Sequence, residues 1–367
     1  MTVRIVLVGT GNQGEAWCRD FLPPNEADDT VEVVAAVDAD ADALERGRAL
    51  LGLSPDRCYT DAQAAVAAHE ADALALVVPP HVRESLVELA VEHDLDVLCE
   101  KPLADSLETA ARIVRRVEDA GLKLGVTMTQ RYRDDVTSLR RQVRSGEYGD
   151  VDAIYSRYAV NARSYGTWKP ERLYDVANHP MLVEGAIHHL DLLADLAGDR
   201  VDRVFCNAWN PPYSEFVGDP NAHVHLVMEN GTSVSYEASN TSAVTFNGWG
   251  DEHVRVDCAE ATLLLDGHEL RSFPYDAAEE DFLGNTRIED GELLALAEGE
   301  KWGNTWLVER FAEWCEGGEP METNARDNLQ AMATVFAAIE SDETGEAVDV
   351  QAMLADAEAA AGDGQQD

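Results

Sequence analysis

The residues that set the architecture lie near the amino terminus and read Ile5-Val6-Leu7-Val8-Gly9-Thr10-Gly11-Asn12-Gln13-Gly14. The short apolar run is typical of a buried strand, and a helical pattern follows from Glu15. In a G-x-G-x-x-G spacing the first glycine permits a tight turn and the second lets backbone N–H groups approach a pyrophosphate. The third lets the helix pack against the strand. The stretch therefore predicts a dinucleotide-binding unit, although this spacing alone is a weak signal.

A carboxylate follows the second apolar run. Asp38 directly follows the apolar run 31–37. Its separation along the sequence from Gly14 is about that at which an acid accepts hydrogen bonds from both ribose hydroxyls of an adenosine. The same acid repels a 2′-phosphate, and the next arginines, Arg46 and Arg48, already lie in the following helical pattern. We therefore predict NAD rather than NADP. The alternative is that Asp38 only caps the helix that begins near Asp42.

The periodicity of apolar residues divides the chain. Short apolar runs (residues 4–8, 31–37, 73–78, 96–99 and 122–127) alternate with helical patterns such as 41–50 and 85–93, which predicts an amino-terminal Rossmann domain with a doubly wound parallel sheet, residues 1–125. Longer alternating strands at 151–158, 223–229 and 233–238, the last two joined at Asn230-Gly231, predict that the second half, residues 126–350, forms a mostly antiparallel sheet with helices on one side. The predicted fold class is therefore α/β. A final helix is predicted at 327–339, and residues 351–367 are predicted to form an acidic, frayed tail.

Charge and composition exclude several functions. The chain carries 70 acidic and 28 basic side chains, a net charge of -42, and this surface repels nucleic acid. Because the acids are spread among apolar runs, we interpret them as the surface of a halophilic protein in concentrated salt. With no signal peptide and no apolar run near 18 residues, we predict a cytoplasmic protein without a membrane partner.

Metal and disulfide chemistry have little support. The six cysteines are scattered without a C-x-x-C pair and are predicted to be reduced. His223 and His225 share one side of a predicted strand, but no third ligand follows from spacing, so no metal is predicted.

Two further turns narrow the choice of cofactor enzyme. The glycine loop alone also suits an S-adenosylmethionine-dependent methyltransferase or a flavin enzyme. The third predicted strand ends in Val78-Pro79-Pro80-His81, and the next ends in Cys99-Glu100-Lys101-Pro102. Both turns lie at carboxyl ends of parallel strands, where ligands bind in open α/β sheets.

With these turns the chain resembles the glucose-fructose oxidoreductase / inositol dehydrogenase / MocA (Gfo/Idh/MocA) family. The resemblance rests on the glycine loop, on residues 78–81, and on Glu100-Lys101-Pro102-Leu103, Ser145-Gly146-Glu147-Tyr148-Gly149-Asp150-Val151 and Glu184-Gly185-Ala186-Ile187-His188-His189-Leu190-Asp191. It implies that the Rossmann domain is followed by a carboxy-terminal α/β domain with a large, mostly antiparallel open sheet, and that a homodimer or homotetramer forms through this sheet. It also implies oxidation of a sugar or polyol hydroxyl with NAD or NADP. Two positions depart from the family pattern: Arg83 stands where a second histidine is common, which we expect to matter little, and Glu184 stands where aspartate is common.

The resemblance and the motifs together assign candidate site residues. The NAD-binding set is Gly9, Thr10, Gly11, Asn12, Gln13, Gly14, Asp38, Pro79, Pro80, His81, Glu100, Lys101 and Gln130. The substrate-binding set is Lys101, Arg131, Tyr165, Trp168, Lys169, Glu184, His188 and His189. The substrate is expected in a cleft between the two domains.

Hydride removal from an alcohol needs a base, a cation near the developing alkoxide and a rigid pose. Lys101, one of four lysines in the chain and placed before a proline in a bond that could be cis, is predicted to be the cation. Glu184, His188 and Asp191 recur at i, i+4 and i+7 in a predicted helix 181–196. We predict His188 as the general base, Glu184 as its carboxylate or a substrate ligand, and Asp191 as an orienting group. His189, about 100° away, is the rival base.

The predicted function is an NAD-dependent dehydrogenase acting on a hydroxyl of a sugar or polyol. Three alternatives stay open at this point: an enzyme that retains NAD for glycoside cleavage or epimerisation, a reductase of oxo-sugars, and a non-catalytic regulator that binds NAD and sugar.

Overall fold

The computed structural model describes residues 1–164, 179–278 and 291–363. The chain forms two compact units. The first contains Met1–Tyr132, Lys301–Met332 and the residues from Leu354, and the second contains Arg133–Glu300 and Ala333–Met353. Among the described residues, no helix combines the length and the apolar character that crossing a membrane requires.

The first unit is built on a parallel sheet, as predicted, and the sheet has six strands, one more than the five apolar runs indicate. Its strands are β1 Val3–Val8, β2 Val31–Val37, β3 Cys58–Tyr59, β4 Ala73–Leu76, β5 Asp96–Cys99 and β6 Leu124–Val126, in the order β3-β2-β1-β4-β5-β6. The order reverses between β1 and β4, which pair in parallel. In doubly wound folds this switch point is where the ligand crevice opens.

Short helices connect these strands. They are α1 Gln13–Ala16, α2 Pro23–Ala27, α3 Ala41–Leu51, α4 Ala62–Ala68, α5 Arg83–Glu92 and α6 Leu107–Ala120, with a π-helical segment at Trp17–Phe21 and 3₁₀ turns at Pro55–Arg57, Pro80–Val82 and Thr129–Tyr132. Helix α6 illustrates how local sequence sets the bounds and the buried face of these helices. Ser106 caps its N-terminus, Gly121 ends it in the left-handed region, and a stripe at Ala110, Ile113, Val114 and Val117 is buried.

The core of the first unit contains residues from far along the chain. Helix α9, Gly303–Cys315, contributes Leu307, Val308 and Phe311 to the cluster that includes Ile5, Leu7 and Trp17. A backbone hydrogen bond also connects these distant segments of the first unit, since the N–H of Val126 donates to the carbonyl of Thr323. The expected boundary at residue 125 therefore differs from the structure: the first unit extends to Tyr132 and takes back residues 301–332.

The second unit contains a nine-stranded sheet, mostly antiparallel as predicted. The strands are β7 Val151–Ala159, β8 Val201–Trp209, β9 Asn221–Met228, β10 Ser233–Ser239, β11 His253–Cys258, β12 Ala261–Asp266, β13 Glu269–Pro274, β14 Glu292–Leu294 and β15 Val348–Asp349, in the order β14-β13-β12-β11-β7-β10-β9-β8-β15. Within the described part of this sheet, β7 and β10 form the one parallel pair. The hairpin predicted at Asn230-Gly231 joins β9 and β10.

The remaining helices are α7 Asp134–Arg144, α8 Ile187–Ala197, α10 Ala325–Thr344 and α11 Val350–Asp363, and a π-helical segment, Met181–Ala186, precedes α8. The expectation of a frayed tail from residue 351 is wrong as far as residue 363, because α11 is a regular helix there. Val350, Leu354, Ala357 and Ala361 are buried along one face of it.

Candidate functional site

The glycine loop follows β1 at the carboxyl edge of the parallel sheet. Gly9 has a φ of 98°, and a Cβ there would lie 2.2 Å from the carbonyl oxygen of Val77. A Cβ on Gly14 would lie 2.3 Å from the carbonyl oxygen of Gly9. Both glycines are therefore required by the protein's own backbone. Gly11 differs, since the nearest atom to its added Cβ is 3.6 Å away, on Ala43.

Asp38 organises this loop. Its Oδ2 accepts from the backbone N–H of Thr10 (2.7 Å) and of Gly11 (3.1 Å), and from the Thr10 hydroxyl (3.2 Å). Its Oδ1 accepts from the N–H of Asp40. The alternative role, a cap for α3, belongs to Asp40, whose side chain accepts from Asp42 and Ala43. Asp38 thus ties the end of β2 to the loop after β1.

These residues fit a dinucleotide. Neither backbone nor side chains crowd the position above Gly11, which leaves room for a group that approaches the loop from outside the protein. A short helix begins at Gln13 directly after the loop, and the N–H groups of Gly14 and Glu15 donate to the loop carbonyls of Gly11 and Asn12. The loop would hold a pyrophosphate, and Asp38 lies beside it for a ribose.

Glu100, predicted in the cofactor set, is held by the protein. It is buried directly after β5, and its Oε1 accepts from Nε1 of Trp17 (2.9 Å) and from Nε2 of Gln13 (3.4 Å). Its Oε2 accepts from the hydroxyl of Thr127 (2.7 Å). One carboxylate therefore connects the ends of β5 and β6 to the helix after the glycine loop.

Lys101 follows Glu100 and is partly buried. Its backbone N–H donates to the hydroxyl of Thr127 (3.3 Å), and the Lys101–Pro102 peptide bond is cis, as the sequence suggested. Of the turn after β4, Pro79 and His81 are exposed and Pro80 is half-buried. The glycine loop and both Pro-containing turns thus share one edge of the sheet.

Arg83 has a larger role than the sequence indicates. It is the first residue of α5, and its side chain is only 3% exposed. Its Nε and Nη2 donate to the carbonyl of Val78 (3.0 and 2.7 Å), Nη2 also lies 3.4 Å from the carbonyl of Lys101, and Nη1 donates to the carbonyls of Glu100 and Pro102. This guanidinium joins the two strand-end turns.

Gln130 and Arg131 lie in the 3₁₀ turn Thr129–Tyr132 after β6. Gln130 is fully buried. Arg131 is also buried, and its Nη2 lies 3.0 Å from a carboxylate oxygen of Asp327. This ion pair compensates the Arg131 charge without a ligand.

Glu184, His188, His189 and Asp191 belong to the second unit. Glu184 lies in the π-helical segment Met181–Ala186, so the α-helical spacing used to place it on the face of His188 holds only from Ile187 onward. Glu184 is half-buried, while the other three side chains are buried. The His188 ring packs edge-to-face against Trp249, with centroids 4.8 Å apart.

His189 is engaged at both ring nitrogens. Nδ1 lies 2.7 Å from the Tyr236 hydroxyl, and Nε2 lies 3.2 Å from Oε2 of Glu252. Burial raises the pKa of Tyr236 well above its usual value, so this hydroxyl stays protonated. His189 is thus fixed inside the second unit.

The pKa of Glu252 reflects this network. Burial alone would raise the pKa, but the charge and hydrogen bond of His189, together with Arg133, outweigh burial and lower it below 4.5. A carboxyl whose pKa is lower in the folded state stabilises the fold above its unfolded pKa, and this contribution is lost as the pH falls through the folded value.

We therefore expect Glu252→Gln to lower the free energy of unfolding by about 3 kcal/mol at pH 7, because it leaves part of a buried ion pair uncompensated. Denaturant unfolding at constant KCl measures this difference at pH 7 and in steps below pH 4.5. The difference should shrink as the pH falls. A difference that is constant with pH would contradict the ion pair.

The remaining candidates, Tyr165, Trp168 and Lys169, lie outside the described residues. The first unit brings together the glycine loop, Asp38, Glu100 and Lys101 at one sheet edge, and the second holds Glu184, His188 and His189 on consecutive turns. Sequence reasoning missed Trp17, Thr127, Tyr236 and Glu252 as partners of these residues. Each lies on another element, and no spacing in the sequence connects them.

Two family models match this chain, one over most of the first unit and one over part of the second unit. Residues 3–128 match the model of the Gfo/Idh/MocA oxidoreductase family with its NAD-binding Rossmann fold, and residues 136–264 match the model of the Gfo/Idh/MocA carboxy-terminal domain. The chain belongs to this family. The Gfo/Idh/MocA resemblance and the α/β fold class predicted from the sequence are thereby confirmed.

Relatives extend over nearly the whole chain. An uncharacterised protein, y4oX of Sinorhizobium fredii, is 40% identical over 96% of this chain and 97% of its own length. A D-apiose dehydrogenase of Paraburkholderia graminis is 29% identical over 96% of this chain and 91% of its own. The solved structure of an inositol dehydrogenase homologue from Azotobacter vinelandii with NADH and myo-inositol covers 95% of this chain and 98% of its own, with a TM-score of 0.77 and 19% identity. These similarities are to an oxidoreductase family with sugar and polyol dehydrogenases among its members.

Proposed function

We propose that this Gfo/Idh/MocA protein is an NAD-dependent dehydrogenase that oxidises a hydroxyl of a sugar or polyol. The observation that carries the proposal is the shared sheet edge in the first unit. There Glu100 bonds both the helix after the glycine loop and the end of β6, and so fixes the Lys101 turn relative to the dinucleotide loop. This support holds the backbone of Lys101, the proposed cation, at the same sheet edge as the loop predicted to hold a pyrophosphate.

Three side chains carry the proposed chemistry. Bound NAD would supply the acceptor for the hydride that leaves the substrate carbon. Lys101 donates a hydrogen bond to the substrate oxygen and stabilises its negative charge as the C–H bond breaks. His188 takes the hydroxyl proton, and Glu184 orients a neighbouring substrate hydroxyl or the histidine. His189 is the weaker candidate for the base, because Tyr236 and Glu252 already occupy its nitrogens.

The direct test is a screen for NADH formation, by absorbance, across pentoses, hexoses, inositols and sugar acids in molar KCl. We expect one substrate class to turn over at about 1–10³ s⁻¹, the usual range for enzymes. The high salt tests the proposed halophilic surface in the same assay, by comparison with dilute buffer. If every substrate fails while NAD copurifies with the protein, net dehydrogenation is the wrong function and catalysis with retained NAD is favoured.

Asp38 should set the preference for NAD. A like charge opposite the 2′-phosphate of NADP costs several kcal/mol, so we expect kcat/KM for NAD to exceed that for NADP by about 10²-fold or more. Asp38→Asn keeps an oxygen that accepts from Thr10 and Gly11 but removes the charge, so the preference should shrink while the fold is retained. Asp38→Ala is the control that also removes the loop contacts. A wild-type preference for NADP would contradict the assignment.

A further inference from the structure

We propose that Arg83 is a positioning residue that fixes the backbone carrying Lys101 and so places its ammonium at the reacting hydroxyl. The inference rests on the proposed function of Lys101 and adds a residue to it. Arg83 contacts backbone oxygens, and no substrate contact is assigned to it.

The contacts of Arg83 are unusual for a buried cation. Its side chain donates to several backbone carbonyl oxygens, from Val78 after β4 and from residues 100–102 after β5, and it also contacts the buried thiol of Cys99. A guanidinium has five N–H donors in a rigid plane, whereas an ammonium is a point charge with three. The geometry of Arg83 therefore selects arginine over lysine or histidine.

The backbone of Lys101 is held on both sides. Its N–H donates to the Thr127 hydroxyl (3.3 Å), and Thr127 in turn donates to Glu100 (2.7 Å). Its carbonyl lies 3.4 Å from Nη2 of Arg83, and the flanking carbonyls of Glu100 and Pro102 accept from Nη1. With both peptide planes fixed, the direction of the Lys101 Cα–Cβ bond is fixed as well. Loss of Arg83 would release one side of this support and leave several carbonyls without a donor.

The kinetic test compares Arg83→Met with Arg83→Lys and with a matched control, Arg112→Met. Arg112 lies on α6 and pairs with Glu84 of α5 (2.8 Å), away from the turn carbonyls. We expect Arg83→Met to lower kcat by about 10²-fold, the cost of a small misplacement of a catalytic group, with KM for NAD near the wild-type value. Arg83→Lys should recover only part of the rate, and Arg112→Met should behave as wild type. A folded Arg83→Met enzyme with wild-type kcat overturns the proposal.

Chemical rescue provides a second arm in case a variant is poorly folded. Arg83→Ala leaves a space the size of a guanidinium, so added guanidinium chloride at low concentration should raise its kcat, with the same concentration of KCl as control. Lys101→Met should show no rescue. If guanidinium restores thermal stability without restoring kcat, Arg83 is a structural residue only and the proposal is overturned.

A readout without turnover separates this inference from the proposed function. Because the chain has four lysines, ¹³C reductive methylation gives few NMR signals, and Lys101→Arg assigns that of Lys101. Lys123 and Lys301 are internal references, since both are held by other residues, Trp314 and Glu309 respectively. In Arg83→Met with NAD present, the Lys101 signal should move toward that of a mobile lysine while the references stay. An unmoved Lys101 signal overturns the role of Arg83 even in an active dehydrogenase, whereas a moved signal in a protein that oxidises no polyol overturns only the proposed function.

Discussion

Replacing Lys101 with methionine is expected to lower kcat by about 10²- to 10⁴-fold while NAD binding and thermal stability are retained. Methionine is close to lysine in length but has neither charge nor donor, so the substrate oxygen loses its partner as charge develops. Stopped-flow measurement of NADH formation gives kcat, and NAD titration gives the affinity.

A second lysine in the same unit provides the control. Lys123 donates to the carbonyls of Trp314 (2.7 Å) and Cys315 (3.0 Å), so Lys123→Met should lower stability and leave kcat unchanged. If Lys101→Met instead unfolds the protein or keeps the wild-type rate, Lys101 is not the catalytic cation.

His188→Asn should remove the base and lower kcat/KM by about 10²- to 10⁴-fold at neutral pH. Asparagine keeps part of the packing against Trp249 but cannot take a proton. The variant should lose the titration that controls kcat/KM in the wild type and regain part of its rate at high pH, where solvent accepts the proton. A pH profile with a deuterated substrate measures both effects.

The adjacent histidine is the matched comparison. His189→Asn disturbs Tyr236 and Glu252, so we expect lower stability with a pH–rate profile of wild-type shape. The opposite result, an active His188→Asn and a dead but folded His189→Asn, would exchange the two assignments. If Lys101 and His188 act on one substrate hydroxyl, the double variant should lose little more than the worse single variant.

A local sequence pattern predicts a helix or strand well when the element's own residues decide how it is buried. Strands β2 and β5 have the predicted bounds because most of their residues are apolar and buried on both faces; the exposed Glu32 in β2 and the half-buried Asp96 in β5 are the exceptions. Strand β3, Cys58–Tyr59, was missed because two residues carry no periodicity. Helix α11 was mistaken for a frayed tail because alanines spaced along one face give a weak apolar signal.

The candidate site was predicted where motifs carry their own geometry. Gly9, Gly14 and the Lys101–Pro102 bond are constraints on the backbone itself, so the sequence alone indicates them. The support around them was not predictable in this way. The contacts of Arg83 are not predictable from the sequence because its partners include carbonyl oxygens, which every residue has. The contacts of His189 come from Tyr236 and Glu252, which lie far along the chain.

The split composition of the first unit bears on how the protein is made. Its core needs Leu307, Val308 and Phe311, yet residues 133–300 leave the ribosome before these do. At a synthesis rate of about 5–20 residues per second, the nascent segment Met1–Tyr132 waits on the order of 10–30 s with part of its apolar surface exposed. Residues 133–300 are therefore synthesised before the first unit can complete its core. A fragment of residues 1–132 expressed alone would lack helix α9, which covers that core.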